Sequence, residues 1–284
     1  MAGPDLPRPV VLVTGSTDGI GRETALALAR RGAFVILHGK NEQRLETVAR
    51  EIRTGFGIQR VDTVMADFSS LGQVRTMARE VIQRHDRLDV LLNNAGVYMK
   101  TRQLTEDGLE MTFGVNHIAH FLLTASLLAL LQRSAPSRIV TVSSIAHTRA
   151  RVDFGNLQGE KKFDPYGAYS LSKLANILFT YELAEQLSGT GVSVNCLHPG
   201  VVNTKLLRTG FPFSSGISQS EGSETSVYLA TDPGVADVSG AYFVNRKPQS
   251  SSPLSRDVTL RSTLWKLSED LAGIKQAWQP RSRP

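Results

Sequence analysis

The sequence contains a single cysteine, Cys196, so no disulfide can form within the chain. Neither a C-x-x-C pair nor a cluster of cysteine and histidine is present, and the sequence therefore predicts no metal site. Cys196 lies in the apolar stretch VSVNCLHPG, where a lone cysteine is most often a small buried core residue.

Long hydrophobic runs are also scarce. The first residues, MAGPDLPRPVVLVTG, lack the apolar region of a signal peptide and enter a strand pattern almost at once. The longest apolar stretches are interrupted by histidine, asparagine or serine and fall short of a membrane span. We therefore expect no membrane span and a soluble, cytoplasmic protein.

No stripe of basic residues is present, although the formal net charge is +6. A basic balance can indicate nucleic acid binding. Here, however, lysine and arginine are spread through helical stretches such as GRETALALARR, often near glutamate, and no aromatic residues alternate with them. We expect solvated helix faces and no nucleic acid partner, although the surplus charge would help to attract an anionic ligand.

What the sequence does contain is a regular alternation of short apolar runs and longer helical patterns. Runs such as PVVLVTG, AFVILHG and LDVLLNNAG predict strands that are buried on both faces. Seven such strands follow in one series without a linker. The pattern predicts an α/β fold with a seven-stranded, parallel, doubly wound sheet and helices on both faces. We expect one domain over residues 1–284, with a core at about 9–245 and a C-terminal helix and tail at 246–284.

The stretch TGSTDGIG, residues 14–21, connects the first strand to the first helix. Gly15, Gly19 and Gly21 would let the backbone turn sharply and approach a pyrophosphate, which the N–H groups and dipole of the helix N-terminus attract. The spacing is G-x-x-x-G-x-G rather than G-x-G-x-x-G, and glycine turns are common. The strand–turn–helix context nevertheless favours a dinucleotide-binding Rossmann domain.

The end of the second strand, LHGKN, contains no acidic residue. An acid at this place holds the ribose 2′-hydroxyl of NAD(H) and would repel the 2′-phosphate of NADP(H). Lys40, together with Arg22, could offer a positive charge to such a phosphate. Taken singly, Lys40 is equally well explained as a solvated loop lysine, but the missing acid favours NADP(H) over NAD(H).

In AYSLSKLAN, Tyr169 precedes Lys173 by four residues on a predicted helix, so their side chains share one helix face. A phenol has a reference pKa of about 10, and a neighbouring ammonium would lower that value toward the working pH. A tyrosine tuned in this way can give a proton to a carbonyl during reduction. Taken alone, the pair is better explained by a solvated surface. Together with the glycine turn, it indicates a proton-transfer pair.

An ordered set of motifs resembles the short-chain dehydrogenase/reductase family. From about Val10 to Phe243 the chain contains, in order, TGSTDGIG, ADFSS, NNAG, GVNHIAHFLLT, RIVTVSS, YSLSK and HPGVVNT. The wording of several stretches, among them SKLANILFT, is similar to the retinol-dehydrogenase-like branch, whose members oxidise or reduce hydrophobic alcohols and carbonyls. The long segment between Ser144 and Tyr169 also resembles one in that branch.

The resemblance implies a catalytic tetrad of Asn116, Ser144, Tyr169 and Lys173. Ser144 would hydrogen-bond the substrate oxygen as charge develops, Lys173 would also hold the ribose, and Asn116 would complete a proton relay. The motif leaves a choice between Ser143 and Ser144, and the family pattern favours Ser144. The dinucleotide contacts that the family implies are Gly15, Gly19, Ile20, Gly21, Lys40, Asp67, Asn93, Ala95, Gly96, Tyr169, Lys173, Pro199, Val202 and Thr204.

Four histidines near these motifs are tempting as catalytic bases but are expected to be structural. His117 and His120 lie in an apolar helix pattern, and His198 ends a strand before a proline. His147 follows the serine strand, where it could line the pocket. Tyr166 has no amine four residues later and is not expected to be catalytic.

The segment GVVNTKLLRTGFPFSSGIS is placed where a loop would cover the substrate. Leu206, Leu207, Phe211 and Phe213 would form an apolar lid, which favours a hydrophobic aldehyde, ketone or alcohol. A loop folded on itself explains the same residues about equally well. The helical patterns at 115–131 and 169–187 carry more apolar residues than one face needs, which predicts a homodimer or homotetramer.

The motifs together predict an NADP(H)-dependent carbonyl reductase or alcohol dehydrogenase. An NAD(H)-dependent alcohol dehydrogenase of the same family is the nearest alternative. A non-catalytic dinucleotide-binding sensor is the alternative from another class of protein. It would be expected to have lost part of the tetrad, and all four positions are filled.

Overall fold

The computed structural model describes residues 8–57, 60–211 and 213–274. In this part of the chain the strands are β1 (Val10–Val13), β2 (Phe34–Gly39), β3 (Val61–Met65), β4 (Val90–Asn93), β5 (Ser137–Val142), β6 (Val192–His198), β7 (Ala241–Val244) and β8 (Lys247–Gln249). They form one sheet in the order β3-β2-β1-β4-β5-β6-β7-β8. Both ends of the predicted domain, residues 1–7 and 275–284, lie outside the described residues.

The predicted parallel, doubly wound sheet is confirmed. Strands β1 to β7 all pair in parallel, and the chain reverses its direction across the sheet between β1 and β4. Side chains of β1 alternate between the two faces, since Leu12 packs in one core cluster and Val11 and Val13 pack in the other. The crevice at such a reversal, outside the carboxyl ends of the strands, is where α/β sheets bind ligands.

Within the described residues the sheet has one strand more than the seven predicted. β8 pairs antiparallel with β7 after a two-residue turn at Asn245 and Arg246, whose φ angles are 49° and 62°. Positive φ at both positions is the signature of a type I′ hairpin turn. β8 is short and exposed and contains Pro248, which an edge strand tolerates. It has no apolar alternation, and this is why the sequence did not reveal it.

The helices pack in two layers, one on each side of the sheet. In the described residues they are α1 (Gly19–Arg30), α2 (Glu42–Gly55), α3 (Leu71–Arg84), α4 (Met111–Phe113), α5 (Ala119–Arg133), α6 (Pro165–Gln186), α7 (Lys205–Gly210), α8 (Gln219–Thr231) and α9 (Val258–Ala272). Helices α1, α2 and α8 share one apolar cluster, and α3, α5, α6 and α9 share the other. The helix predicted in the C-terminal segment is therefore present as α9, and it belongs to the core.

Helix α9 covers the apolar face of α5 and α6 on which the oligomer prediction was based. The Trp265 ring stacks on Phe179 with centroids 5.9 Å apart and meets Phe121 edge-on at 4.9 Å. Arg261 forms ion pairs with Glu182 and Glu185 on α6. The surplus apolar residues of α5 and α6 are thus accounted for within one chain. The homodimer or homotetramer stays a prediction without that support.

One helical segment of the described residues, Met111–Arg133, is long and apolar enough to cross a membrane by length and composition. This differs from the expectation that the interrupted apolar stretches fall short of a membrane span. Of its most apolar window, 83% is buried inside the fold, as expected of a core helix. The segment comprises α4, a π-turn at Gly114–Ile118 and α5.

Candidate active site

The glycine turn connects β1 to α1 at the reversal of the sheet. Gly15 has a φ of +65°, and a Cβ at Gly21 would lie 2.2 Å from the Gly15 carbonyl oxygen. Only glycine fits so narrow a turn. The Asp18 side chain caps α1 by accepting a hydrogen bond from the Gly19 N–H at 2.8 Å. The turn therefore brings bare backbone to a helix N-terminus, which is the arrangement that binds a pyrophosphate.

The NNAG segment after β4 is held against this turn by Thr14 and Asn94. The Thr14 hydroxyl accepts hydrogen bonds from the N–H groups of Asn94 at 2.8 Å and Ala95 at 3.0 Å. The Asn94 side chain donates to the Thr14 carbonyl at 2.8 Å. A Cβ at Gly15 would lie 2.9 Å from the Ala95 Cα. Two of the predicted cofactor residues, Gly15 and Ala95, are thus in close contact.

Asn93, another predicted cofactor residue, is placed differently. It is buried in β4, and its side chain donates to the Thr124 hydroxyl on α5 at 3.0 Å. It thus faces the helix layer rather than the glycine turn. Asn94, which the sequence suggested only as a turn residue, is the asparagine that contacts the turn.

Lys40 and Asp67 lie next to each other at the ends of β2 and β3. The Lys40 ammonium is 3.0 Å from an Asp67 carboxylate oxygen, and the side chain of Lys40 is 70% exposed. Asp67 also accepts hydrogen bonds from Ser69, which hold the pKa of its carboxyl below the usual value together with Lys40. Arg22 is engaged by Glu23 and Glu51 at 2.6 and 2.5 Å. Of the two basic residues proposed for a 2′-phosphate, Lys40 is therefore the more available.

The segment after β6 faces the glycine turn from the other side of the crevice. Thr204 caps α7 by accepting a hydrogen bond from the Leu207 N–H at 3.2 Å. Its Cγ2 atom would lie 3.5 Å from a Cβ at Gly19. Val202 forms a bridge with Ile217. The remaining predicted contacts flank this crevice, Ile20 in the first turn of α1 and Pro199 directly after β6.

The predicted proton-transfer pair lies on α6 beside the carboxyl end of β5. The Lys173 ammonium donates to the Val142 carbonyl at 3.0 Å and lies 5.7 Å from the centroid of the Tyr169 ring. Ser144 follows β5 and hydrogen-bonds to Tyr169. Tyr169 and Lys173 are both buried. A phenol, an ammonium and a hydroxyl therefore meet in a place that is shielded from water.

The two neighbouring serines have separate tasks. The Ser143 hydroxyl is buried and donates to the Lys173 main-chain carbonyl at 2.7 Å, which fastens α6 to β5. The Ser144 hydroxyl accepts from the Ala146 N–H at 3.2 Å and is the one that reaches Tyr169. The geometry thus favours Ser144 as the serine of the tetrad.

Burial sets the ionisation of the pair. It raises the pKa of Tyr169 to about 12, although the hydrogen bond with Ser144 opposes the rise. It also lowers the pKa of Lys173 to about 8. Lost hydration is the largest influence on the pKa of Tyr169, and the expected lowering by Lys173, whose ammonium lies 5.7 Å from the ring centroid, is not seen. Tyr169 carries its proton at neutral pH, the state that can protonate a carbonyl.

Asn116 lies in the π-turn between α4 and α5. Its side-chain oxygen accepts from the Val97 N–H at 2.7 Å, and its amide donates to the Val97 carbonyl and to Ser172, both at 3.0 Å. A Cβ at Gly96 would lie 3.4 Å from Asn116 Oδ1 and 3.7 Å from Lys173 Nζ. Gly96 thus lets the asparagine and the lysine approach the same point, and π-turns are frequent at functional sites.

The family is settled by comparison with known proteins. The family model described as short chain dehydrogenase matches residues 9–212. The chain belongs to the short-chain dehydrogenase family. It is an NAD(P)-dependent oxidoreductase that acts on CH–OH groups.

Among curated relatives of this short-chain dehydrogenase are three retinol dehydrogenases. Retinol dehydrogenase 14 of Mus musculus is 44% identical over 286 residues, which cover 93% of this chain and 86% of the relative. Retinol dehydrogenase 13 of Homo sapiens is 42% identical, with coverages of 95% and 86%. Retinol dehydrogenase 11 of Homo sapiens is 44% identical, with coverages of 95% and 87%. The resemblance to the retinol-dehydrogenase-like branch is confirmed.

Solved structures of the family share the fold. An uncharacterized protein from Mycobacterium paratuberculosis has a TM-score of 0.78 and 33% identity, covering 95% of this chain and 97% of that one. A short chain dehydrogenase of Escherichia coli CFT073, complexed with NADPH, has a TM-score of 0.70 and 29% identity, covering 87% of this chain and 100% of that one. The similarity supports a nicotinamide dinucleotide as the cofactor.

Two buried histidines of this short-chain dehydrogenase support the cofactor turn, namely His120, which was expected to be structural, and His38, for which the sequence predicted no role. His38 Nδ1 accepts from the Gly15 N–H at 3.1 Å, while Nε2 lies 3.1 Å from the Ala66 carbonyl and donates to it. His120 contacts the Thr14 hydroxyl through Nε2 and the Asn116 carbonyl through Nδ1, both at 3.0 Å. Burial lowers the pKa of His38 to about 4 and that of His120 to about 3. Both side chains are therefore uncharged at neutral pH and connect two segments of the chain by hydrogen bonds. In the sequence, the only indication of such a role is a histidine within an apolar pattern.

The other histidines are structural, as expected. His117 lies 2.8 Å from the Ser268 hydroxyl on α9. His147 contacts the Ser144 carbonyl through Nδ1 at 2.7 Å and accepts from the Ser252 N–H through Nε2 at 3.1 Å. His198 accepts from the Ile145 N–H at 3.2 Å. His147 and His198 therefore hold the turn that carries Ser144.

Proposed function

We propose that this protein is an NADP(H)-dependent carbonyl reductase or alcohol dehydrogenase acting on a hydrophobic aldehyde, ketone or alcohol. The observation that carries the proposal is the meeting of Ser144, Tyr169 and Lys173 in a buried place at the end of β5. The glycine turn and the NNAG segment form a narrow backbone cradle at the neighbouring strands. A proton donor and a dinucleotide cradle at one edge of a sheet suit carbonyl reduction.

The residues of the site fit a nicotinamide dinucleotide, which supplies or accepts a hydride when it is bound. Gly15, Gly19 and Gly21 would hold its pyrophosphate at the N-terminus of α1. Lys173, held toward the crevice by the Val142 carbonyl, would hold the ribose. Tyr169 gives its proton to the substrate oxygen, and Ser144 donates a hydrogen bond to the same oxygen as negative charge develops.

The preference for NADP(H) is supported by the absence of an acid at the end of β2 and by the exposed ammonium of Lys40. A 2′-phosphate there would meet the Lys40 ammonium, and β2 itself ends without a carboxylate. The ion pair with Asp67 at 3.0 Å favours the alternative, because it neutralises part of the charge of Lys40. An NAD(H)-dependent alcohol dehydrogenase is therefore kept as the second candidate.

The substrate class is supported by the apolar character of the segment after β6 and by the names of the relatives, which are retinol dehydrogenases. Leu206 and Leu207 are half-buried, and Phe211 contacts the rings of Tyr98 and Tyr166. Phe213, the fourth residue of the predicted lid, is fully exposed and does not cover the site. We propose a long or ring-bearing apolar carbonyl compound as the substrate.

The function is tested by mixing the purified protein with NADPH and a panel of aldehydes and ketones, from short-chain to retinal-like, and following the loss of absorbance of the reduced nicotinamide. Turnover that increases with the apolar size of the substrate is expected. Tight NADPH binding without turnover on any member would favour the non-catalytic sensor. Turnover with NADH alone would favour the second candidate.

Two further expectations stay predictions. A cytoplasmic location is tested by fractionation of cells that express the full chain. A homodimer or homotetramer is tested by light scattering at micromolar concentration. The face first expected to form that interface is covered by α9, so association would require another surface.

A further inference from the structure

Three aromatic rings from three separate elements form a connected series that begins at Tyr169. Tyr98 follows the NNAG segment, Tyr166 lies in the first turn of α6, and Phe211 follows α7. The centroid of the Tyr98 ring is 5.6 Å from that of Tyr169 and 5.5 Å from that of Phe211. Phe211 meets Tyr166 edge-on at 5.7 Å. The rings form one continuous aromatic wall beside the group that donates the proton.

Tyr98 is the centre of this wall, because it contacts both the catalytic tyrosine and the segment after β6. The backbone of Gly210 lies directly on its ring, and a Cβ at Gly210 would be 3.2 Å from Cγ, Cδ1 and Cδ2 of Tyr98. This is closer than an alanine methyl group ordinarily lies to a ring. The Tyr98 ring therefore leaves room only for glycine at position 210 without a shift of the neighbouring atoms.

The contact with Tyr98 accounts for much of what positions α7 over the site. None of the six residues of α7 is buried, so the helix contributes little to the core. Its start is fixed by the Thr204 cap. Its end is fixed by the ring contacts of Phe211 and by the packing of the Gly210 backbone against the Tyr98 ring. Edge-on ring contacts are favourable beyond the apolar area that they bury, and together they favour one position of the helix.

We propose that Tyr98 is a specificity-determining residue that sets the width of the substrate site between Tyr169 and α7. With the ring present, the space beside the Tyr169 hydroxyl is bounded by aromatic faces and suits a slender, flat apolar carbonyl compound. Branched or bulky groups next to the carbonyl are excluded by the Tyr98 ring. The inference rests on the proposed carbonyl reduction and names the shape of its substrate.

The test compares two substrates in the wild type, Tyr98→Ala and Tyr98→Phe, namely a straight-chain unsaturated aldehyde and a branched aryl ketone. Tyr98→Ala is expected to lower kcat/KM for the slender aldehyde about tenfold, mainly through KM, and to raise it for the branched ketone. Tyr98→Phe keeps the ring and should restore the wild-type ratio of the two kcat/KM values. An unchanged ratio of the two kcat/KM values in Tyr98→Ala would overturn the proposal.

A second variant tests the contact with Gly210 directly. Gly210→Ala adds a methyl group against the ring and is expected to lower kcat/KM for the slender aldehyde severalfold. In the Tyr98→Ala background the same change should have little effect, because its neighbour is gone. If Gly210→Ala lowers kcat/KM equally in the wild-type and Tyr98→Ala backgrounds, the packing of Gly210 against Tyr98 is contradicted.

These outcomes are separable from failure of the proposed function. If the wild type reduces no carbonyl compound on the panel, the proposed function fails and no ratio can be formed. Cofactor fluorescence measures NADPH binding by the wild type and Tyr98→Ala. If the wild type is active and both proteins bind NADPH equally, an unchanged ratio of the two kcat/KM values contradicts only the role of Tyr98. Melting temperatures of all variants show whether each one is folded.

Discussion

The Lys173 ammonium lies 5.7 Å from the centroid of the Tyr169 ring, and its hydrogen bond runs to the Val142 carbonyl rather than to a carboxylate. A buried cation without an acidic partner is costly to keep charged. This explains why the pKa of Lys173 falls to about 8. Perturbed pKa values of this kind are common at active sites, which is consistent with the role proposed for Lys173.

The first prediction concerns the pH dependence of stability. The unfolded chain keeps a lysine pKa of about 10.4, while that of folded Lys173 is about 8. Between those values the unfolded state binds more protons, so the free energy of unfolding rises with pH, by at most about 1.4 kcal/mol per unit. Urea unfolding at pH 7.5 and 10 should show the wild type gaining stability relative to Lys173→Met over this interval.

The matched control is Lys266→Met, which changes an exposed lysine of α9. The difference between this variant and the wild type should be the same at both pH values. If Lys173→Met behaves in the same way as the control, the low pKa of Lys173 is contradicted.

The second prediction concerns cofactor preference. Lys40→Ala is expected to weaken NADPH binding about tenfold, equivalent to about 1.4 kcal/mol, because the cation near the 2′-phosphate is lost. NADH binding should hardly change, since NADH lacks that phosphate. Dissociation constants measured by cofactor fluorescence give both values, with Lys266→Ala as the control. Equal loss for the two cofactors would mean that Lys40 does not read the phosphate.

The third prediction concerns α9. Trp265 is buried against Phe121 and Phe179, so Trp265→Ala should lower the free energy of unfolding by about 3–5 kcal/mol. Val258→Ala, at an exposed position of the same helix, should cost less than about 0.5 kcal/mol. Guanidinium unfolding compares the two variants. A small effect of Trp265→Ala would show that α9 does not seal the face of α5 and α6.

The fourth prediction concerns His120, which bridges the Thr14 hydroxyl and the Asn116 carbonyl. His120→Leu removes one hydrogen bond from each group, while the Thr14 hydroxyl keeps its bonds with Leu92, Asn94 and Ala95, so the expected cost is about 0.5–1.5 kcal/mol for each lost bond. It should also weaken NADPH binding, because Thr14 holds the NNAG segment against the glycine turn. His85→Gln, at a partly exposed position that contacts Asp62, is the control. Unchanged cofactor affinity in a folded His120→Leu protein would separate His120 from the cofactor turn.

Local spacing explains why much of the site could be predicted from the sequence. Two parts of the site depend only on residues that are close in sequence: the turn from Gly15 to Gly21 and the pair Tyr169 and Lys173. Their geometry can therefore be predicted from a few adjacent residues. The parallel sheet follows from apolar runs that alternate with helices.

The parts that were missed depend on contacts between distant segments. His38 reaches Gly15, and Trp265 reaches Phe121, across many residues of chain. The contact of the Asn93 side chain with Thr124 depends on its register in β4, which no short motif reveals, and the cofactor contact of Asn93 stays a prediction. The raised pKa of Tyr169 results from burial by the complete fold, whereas the spacing of Tyr169 and Lys173 indicated only the opposing attraction.

The most direct test of the catalytic account is single-turnover reduction of an apolar aldehyde by the NADPH-bound wild type, Tyr169→Phe and Tyr228→Phe proteins. Tyr228 lies on α8 and packs against the apolar cluster on the other side of the sheet from α6, so its variant should match the wild type. The account predicts that Tyr169→Phe binds NADPH normally but reduces the aldehyde at least about 100-fold more slowly, because its proton donor is missing. Reduction by Tyr169→Phe at near the wild-type rate would contradict the account.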